Sequence, residues 1–426
     1  MDYREVRRLV IELTRENDEW RGKCVNLIPS ENVMSPAAEK AYGASDFMHR
    51  YAEGDPFKRY YQGTKFIDQI ETLCTDLSKK LWRAGEADVR PISGTVANIA
   101  MFTALVKPGD VVFSYGTTEG GHISHDRIGA AGVRGLEAVH YPTQSGWDID
   151  LDATRKLALE KRPKVILAGG SLILFPHPVK ELRAIADEVG ARVAFDGAHV
   201  MGLIAGGQFQ DPLREGAEVM TGSTHKTFPG PQGGVIMTTD SELFKTIKKS
   251  VFPGVVSNHH LHRLPAFAIT AVEMLEFGEK YAGQVVANAQ TLAQALHDEG
   301  LTIACADRGF TQSHQVVIDV RSIGDGATLA KQCEDANIIL NKNALPGDPE
   351  KSWQKVGGLR TGVQEMTRFG MREAEMHEIA GFLARVLKGE APAGVRRDVE
   401  EFRADFQQVH YCFDSEVSSS VLPLKL

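Results

Sequence analysis

Disulfide staples are the first thing this chain does without. Its five cysteines, Cys24, Cys74, Cys305, Cys333 and Cys412, are odd in number, scattered, and form no Cys-x-x-Cys pair. That pattern fits reduced thiols rather than a disulfide framework. Long apolar runs are missing too: none approaches the ~20 residues of a membrane span. The first residues, Met1-Asp-Tyr-Arg-Glu-Val-Arg-Arg8, lack the apolar core of a secretory signal. Positive charge is in deficit, with a formal net charge of -8 and no basic stripe interleaved with aromatics, which argues against a nucleic-acid binder. There is no internal repeat and no low-complexity segment. These absences lead us to expect a cytoplasmic protein with neither membrane nor nucleic-acid partners. At 426 residues, with 42% hydrophobic and 24% charged side chains, the chain is long enough for two or three folded units built on ordinary cores.

Helical spacing of Val6, Leu9, Val10 and Leu13 marks a polar N-terminal helix that needs something else to pack on, such as a second subunit. Phe66, Ile70, Leu73, Leu77 and Leu81 mark an amphipathic helix. From there strands and helices alternate. Strands are expected at Val111–Tyr115, Ala138–Tyr141, Lys164–Ala168 and Arg192–Phe195, with helices at Leu151–Lys161 and Val179–Val189 between them. Such alternation implies a mostly parallel sheet wrapped by helices, with ligands bound at the carboxyl ends of its strands. A long helix at about Pro265–His297 leads to a smaller unit mixing strands (Gln315–Val320, Ile338–Leu340, Leu359–Gly362) with helices. We therefore expect an N-terminal arm over 1–25, a large domain over 26–280 and a small C-terminal α/β domain over 281–426. Ser418–Ser420 and the residues after them read as a frayed tail.

Four features point to one chemistry. Lys226, in Ser223-Thr-His-Lys-Thr227, lies between a polar run and a Gly/Pro-rich turn, where an amine can form a Schiff base with a carbonyl cofactor. The alternative is a surface lysine on a hairpin turn. Asp196 closes an apolar strand, and a carboxylate so placed can keep a pyridine nitrogen protonated; otherwise it is a cap or a salt bridge. Ser93-Gly94-Thr95 opens a helix and, with Ser223 and His225, can cradle a phosphate, or it is a plain N-cap. Arg360, in Gly357-Gly-Leu-Arg-Thr-Gly362, offers a guanidinium fork to an amino-acid carboxylate. Asp196 and Lys226 both fall just past strand ends, so they can face one cavity. Together the four favour pyridoxal phosphate. The histidines of Asn258-His-His-Leu-His262 lack an adjacent carboxylate or cysteine, and no metal site is expected.

Along nearly its whole length the chain resembles serine hydroxymethyltransferase. The motifs that carry the likeness are Leu27-Ile-Pro-Ser-Glu-Asn32, Arg50-Tyr-Ala-Glu-Gly54, Arg59-Tyr-Tyr-Gln-Gly63, Ser93-Gly-Thr-Val-Ala-Asn98, Gly120-Gly-His122, Asp196-Gly-Ala-His199, Ser223–Thr227, Phe252-Pro-Gly254, Asn341-Lys-Asn343 and Arg360-Thr-Gly362. The wording of Phe47–Gly54, Gln208–Ala217 and Asn258–His262 is similar to the archaeal-type branch. The resemblance implies a fold-type I pyridoxal-phosphate transferase with a seven-stranded-type sheet, acting as a homodimer with shared sites or as a dimer of dimers. It implies interconversion of L-serine and glycine, with the hydroxymethyl carbon passed to a tetrahydropterin.

It also implies roles. Lys226 would hold the cofactor, Asp196 would pair with its ring nitrogen, His122 would stack on its face, and His199 and Ser171 would lie near its phenolic oxygen. Ser93, Gly94, Thr95, Ser223, His225 and, from the partner subunit, Gly254 would contact the phosphate. Arg360 and Ser30 would hold the substrate carboxylate. Tyr51, Glu53 and Tyr61 would cross the dimer interface, with Glu53 as proton carrier unless it is merely an ion pair with Arg50 or Arg59. Gly120, Gly121 and His122 would border the pterin. Departures in the loop Ala344–Trp353, in Thr117-Thr-Glu119, at Gln232 and at Val255 leave tetrahydrofolate and tetrahydromethanopterin both open. Trp353 could stack on such a ring. The competing expectations are a pterin-independent threonine aldolase or transaldolase, an α-methylserine transferase, and a non-catalytic binding protein on the same scaffold.

Overall fold

The computed structural model describes residues 2–349 and 355–414; Trp353 and Ser418–Ser420 lie outside them. Of the described residues, one compact unit takes Asn32–Gly283 with 344–349, and the other takes 2–31, 284–343 and 355–414.

Seven strands form the sheet of the first unit: β1 (Glu86–Asp88), β2 (Val111–Ser114), β3 (Glu137–His140), β4 (Val165–Gly169), β5 (Arg192–Asp196), β6 (Val219–His225) and β7 (Pro229–Thr238). Their order is β1-β7-β6-β5-β4-β2-β3, parallel throughout except for β7, which runs antiparallel to β1 and β6. The expected mostly parallel, seven-stranded α/β architecture is therefore present. Continuous apolar runs belong to strands covered on both faces, and β4 is buried at every position. Helices Leu151–Lys161 and Val179–Val189 form over the expected residues, and the amphipathic helix spans Lys65–Leu81. The core between the sheet and helix Gly94–Leu105 is built from Met101, Phe102, Val112, Val165, Leu167, Ala194, Val219 and Ile236.

In the second unit β8 (Thr302–Ile303), β9 (Gln315–Asp319), β10 (Asn341–Asn343) and β11 (Gly358–Gly362) make an antiparallel sheet in the order β8-β9-β11-β10. The apolar pair Ile338–Ile339 joins no part of it; these residues pair in parallel with Val25–Asn26. Helix Tyr3–Gly22 buries no residue, and Tyr3, Leu9, Val10 and Leu13 are exposed on it. Among the described residues no helix is long and apolar enough to cross a membrane.

Candidate active site

Strand β6 pairs with β7 as a hairpin whose register shifts between Ser223 and His225, and Lys226 sits in the connection. It is a hairpin-turn lysine, yet only 8% exposed. Its backbone is held because Asn32 Nδ2 donates to the Lys226 carbonyl at 2.6 Å, while the next hydroxyl, Thr227 Oγ1, donates to the His199 carbonyl at 2.8 Å. The side chain lines a cavity of about 180 Å³ together with Ser93, Gly94, Thr95, Asn98, His122, Gly170, Asp196, Ala198, Ser223 and His225. Asp196 and Lys226 thus face one cavity, as their positions at strand ends led us to expect.

Asp196 ends β5 and is 3% exposed. Its Oδ2 accepts from Asn98 Nδ2 and from His125 Nε2, each at 2.8 Å, and its Oδ1 accepts from the Ala198 N–H at 3.0 Å. Burial alone would raise this carboxyl. The His125 hydrogen bond and charge, then His122 and Asn98, outweigh it and hold the group far below the usual carboxylate range. An anion so fixed suits a cationic partner. The ligand-type atoms of His122, His125 and Asp196 lie within 4.8 Å of one another, so the acceptable cations include a protonated ring nitrogen or a metal ion.

On the same cavity wall, Ser93 caps helix Gly94–Leu105, its Oγ accepting from the Val96 N–H at 3.1 Å. A Cβ at Gly94 would meet Ser223 Oγ at 2.6 Å, so glycine lets the helix start and the end of β6 converge. Free N–H groups of a twelve-residue helix beside Ser93, Thr95 and Ser223 hydroxyls form an anion cradle. Burial first, then Lys226 and Arg263, lower His225 to about 4. It is neutral at pH 7. Its Nδ1 accepts from the Gly233 N–H at 3.4 Å, so Nε2 carries the proton as a donor.

Other expected residues are elsewhere. Ser171 and His199 border the site without lining the cavity: the Ser171 N–H donates to the Gly120 carbonyl at 2.8 Å, and His199 is buried. Gly120 and Gly121 are buried, and a Cβ on Gly120 would meet the Leu172 carbonyl oxygen at 2.5 Å, so this turn is tight against the backbone after β4. Gly254 is exposed and lines nothing here. Tyr51, Glu53 and Tyr61 do not line the cavity but do gather: Tyr51 Oη donates to Glu53 Oε1 at 3.3 Å, and the Tyr51 and Tyr61 rings lie 4.9 Å apart, both nearly half exposed. The ion pair considered for Glu53 is not what forms: Arg50 binds Asp46, and Arg59 binds Asp68 and Glu71.

In the second unit, Arg360 on β11 faces Asn341 across the ladder, and its Nε donates to Asn341 Oδ1 at 3.3 Å. Burial lowers it to about 10, so it remains a cation at neutral pH. The loop carrying Ser30 is tied to the same strand end. Gly362 N–H donates to the Leu27 carbonyl at 2.8 Å, and Gln364 Nε2 donates to the carbonyls of Ile28 and Glu31 at 2.8 and 2.7 Å.

Sequence reasoning assigned no role to three buried groups. Asn98 and His125 surround Asp196, and Glu365 follows Gln364. Asn98 lay in a quoted motif, and His125 follows His122 at i+3, but only folding brings either to β5. Burial lifts Glu365 to about 7, against the pull of Arg21, Arg403 and Asn26. A raised acid costs stability once pH passes from its ordinary value of 4.5 up to about 7. That is a penalty of order 3 kcal/mol, absent below the unfolded pKa. Glu365→Gln should therefore match the parent in melting temperature near pH 4.5 and exceed it increasingly toward pH 8.

The comparisons with known proteins agree among themselves. A family model described as serine hydroxymethyltransferase matches residues 4–383. The chain is 53% identical over 420 residues to a serine hydroxymethyltransferase of Methanocaldococcus jannaschii, covering 97% of each chain. It is 53% identical over 421 residues to that of Pyrococcus horikoshii, covering 97% of this chain and 98% of the relative. To that of Sulfolobus acidocaldarius it is 50% identical over 422 residues, covering 97% of each.

Proposed function

Because the chain belongs to the serine hydroxymethyltransferase family, we propose that it interconverts L-serine and glycine, with pyridoxal phosphate as cofactor and a tetrahydropterin as carbon acceptor. One observation carries this reading: a single small cavity has an amine, a buried carboxylate and a capped helix start on its walls. That donor set matches, group for group, an aldehyde, a ring nitrogen and a phosphate. When bound, pyridoxal phosphate supplies an electron sink for charge developing at the amino-acid α-carbon.

The chain's own residues do the rest. Lys226 would offer the amine that holds the cofactor. Asp196, kept anionic by His125 and Asn98, would keep a proton on the ring nitrogen. His122 would cover one face of the ring, and His199 and Ser171 would serve its phenolic oxygen. Ser93, Gly94, Thr95, Ser223 and neutral His225 bind the phosphate. Arg360 grips the substrate carboxylate, with Ser30 beside it. Glu53 moves the proton of the substrate hydroxyl, oriented by Tyr51 and Tyr61. The partly exposed Tyr51–Glu53–Tyr61 group and the exposed Gly254 suit a homodimer in which each copy completes the other's site. Gly120, Gly121 and His122 border the pterin. We place the protein in the cytoplasm.

Arg360→Ala should raise the serine KM by roughly 10–150-fold, the loss of a charged hydrogen-bonding partner, with kcat for bound substrate less affected. Steady-state kinetics over a wide serine range would check this. The reading as a whole is tested by assaying serine cleavage with tetrahydrofolate and with tetrahydromethanopterin side by side. Turnover that depends on either pterin is the expected result and identifies the acceptor. Equal turnover of threonine or serine without any pterin would replace the transferase by an aldolase.

A further inference from the structure

The loop that presents Glu53 rests on a charged cluster with almost no access to water. Arg59 and its two carboxylate partners, Asp68 and Glu71, are each 5% exposed or less at the side chain. Arg59 Nε donates to Asp68 Oδ1 at 2.8 Å and NH2 to Glu71 Oε2 at 2.7 Å. Its remaining arm, NH1, donates to the carbonyls of Ala52, at 3.0 Å, and Gly54. Those two carbonyls flank Glu53. The Glu53 carbonyl accepts from the Tyr60 N–H at 3.1 Å, and the Ala52 N–H donates to Asn258 Oδ1 at 3.0 Å. Backbone on both sides of Glu53 is thus pinned while its carboxyl stays available.

The far end of the cluster comes from the histidine-rich segment that no chemistry had claimed. His259, 1% exposed, meets Glu71 Oε2 through Nε2 at 2.9 Å. Burial would raise the Glu71 carboxyl, but His259 and Arg59 hold it below its ordinary value, so it is an acceptor and the His259 Nε2 must carry the hydrogen. Burying such charges carries a desolvation cost for each ion, and apolar packing would serve stability as well. What apolar packing cannot do is hold two carbonyls at fixed positions.

We propose that Arg59, locked by Asp68, Glu71 and His259, is a positioning residue for the transfer reaction: it sets the backbone of residues 52–54 so that the Glu53 carboxyl is offered in one geometry. This rests on the reading of Glu53 as proton carrier. The clamp acts through Glu53 and touches no substrate itself.

The test uses the holoenzyme with His259→Leu, His259→Gln, Glu53→Gln and the double variant His259→Leu/Glu53→Gln. Pterin-dependent serine cleavage, melting temperature and amide hydrogen exchange at Ala52 and Tyr60 are measured in each. His259→Leu is expected to lower kcat about 10–100-fold, the cost of a displaced catalytic group, with the serine KM nearly unchanged and faster exchange at both amides. His259→Gln, which keeps an N–H donor, should recover most of kcat. In the double variant the two losses should not multiply. Multiplicative losses, or a His259→Leu enzyme with parental kcat, would overturn the clamp. Parental kcat in Glu53→Gln would instead overturn the proton-carrier reading, and the clamp's role in the reaction with it. Should His259→Leu fail to fold, Arg59→Lys takes its place, because it keeps a cation facing Asp68 and Glu71 but loses the fork that reaches the Ala52 and Gly54 carbonyls. The same pattern is expected there, and additivity with Glu53→Gln would again overturn the proposal.

Discussion

Lys226→Ala should abolish turnover while the protein still folds. Its loss removes the amine from the cavity wall, while the hairpin around it stays held through its backbone and through Thr227. The Asn32 amide bonds the carbonyl of residue 226, not its side chain, and Thr227 is anchored to Gly202 and His199 through its own hydroxyl. The expected fall in kcat is roughly 10⁴–10⁶-fold, the range found when a covalent nucleophile is deleted. The melting temperature without cofactor should move by no more than a few degrees, and the yellow colour of loaded protein should disappear. Absorbance of the purified variant, its thermal melt and a serine-cleavage assay decide the matter. A variant that stays yellow and active would mean that another amine holds the cofactor.

Asp196→Asn should also be damaging, to a smaller extent and for a different reason. The amide has the same shape, so the Ala198 N–H keeps an acceptor at that position. The negative charge, however, is what the buried His125 and Asn98 donors point at, and what would hold a proton on the ring nitrogen under the proposed function. Losing a preorganised charge at the reacting centre costs roughly 10²–10³-fold in kcat. Fluorescence titration should show weaker cofactor binding, and turnover at saturating cofactor should remain depressed. Full activity at saturating cofactor would show that the charge is not used.

How much of this was legible beforehand follows the physics of each signal. Local periodicity placed the helices Leu151–Lys161 and Val179–Val189 at their observed ends, because burial of one helical face repeats every three or four residues. The run at Lys164–Ala168 was readable as a strand because β4 is covered on both faces. Edge strand Glu86–Asp88 was not: it is short, carries two acids, and owes its structure to pairing with β7. Ile338–Ile339 was readable as a strand, but its partner, Val25–Asn26, lies more than 300 residues away in sequence, and nothing local names it. Glu53 posed the same difficulty. Arg50 and Arg59 were the nearest arginines to it along the chain, yet both turned to carboxylates of their own.

The sequence alone determined the family, the alternation of strands and helices, and the identity of Lys226, Asp196 and the Ser93–Thr95 helix start, because each is written in contiguous residues. Only the tertiary structure decided which side chains surround them. His125 and Asn98 reach Asp196 across 71 and 98 residues of chain, and His259 reaches Glu71 across 188. Burial made those meetings consequential. An imidazole or a carboxylate has one meaning in water and another where its partners are its only source of hydrogen bonds, and that difference arises from the fold rather than from any single stretch of it.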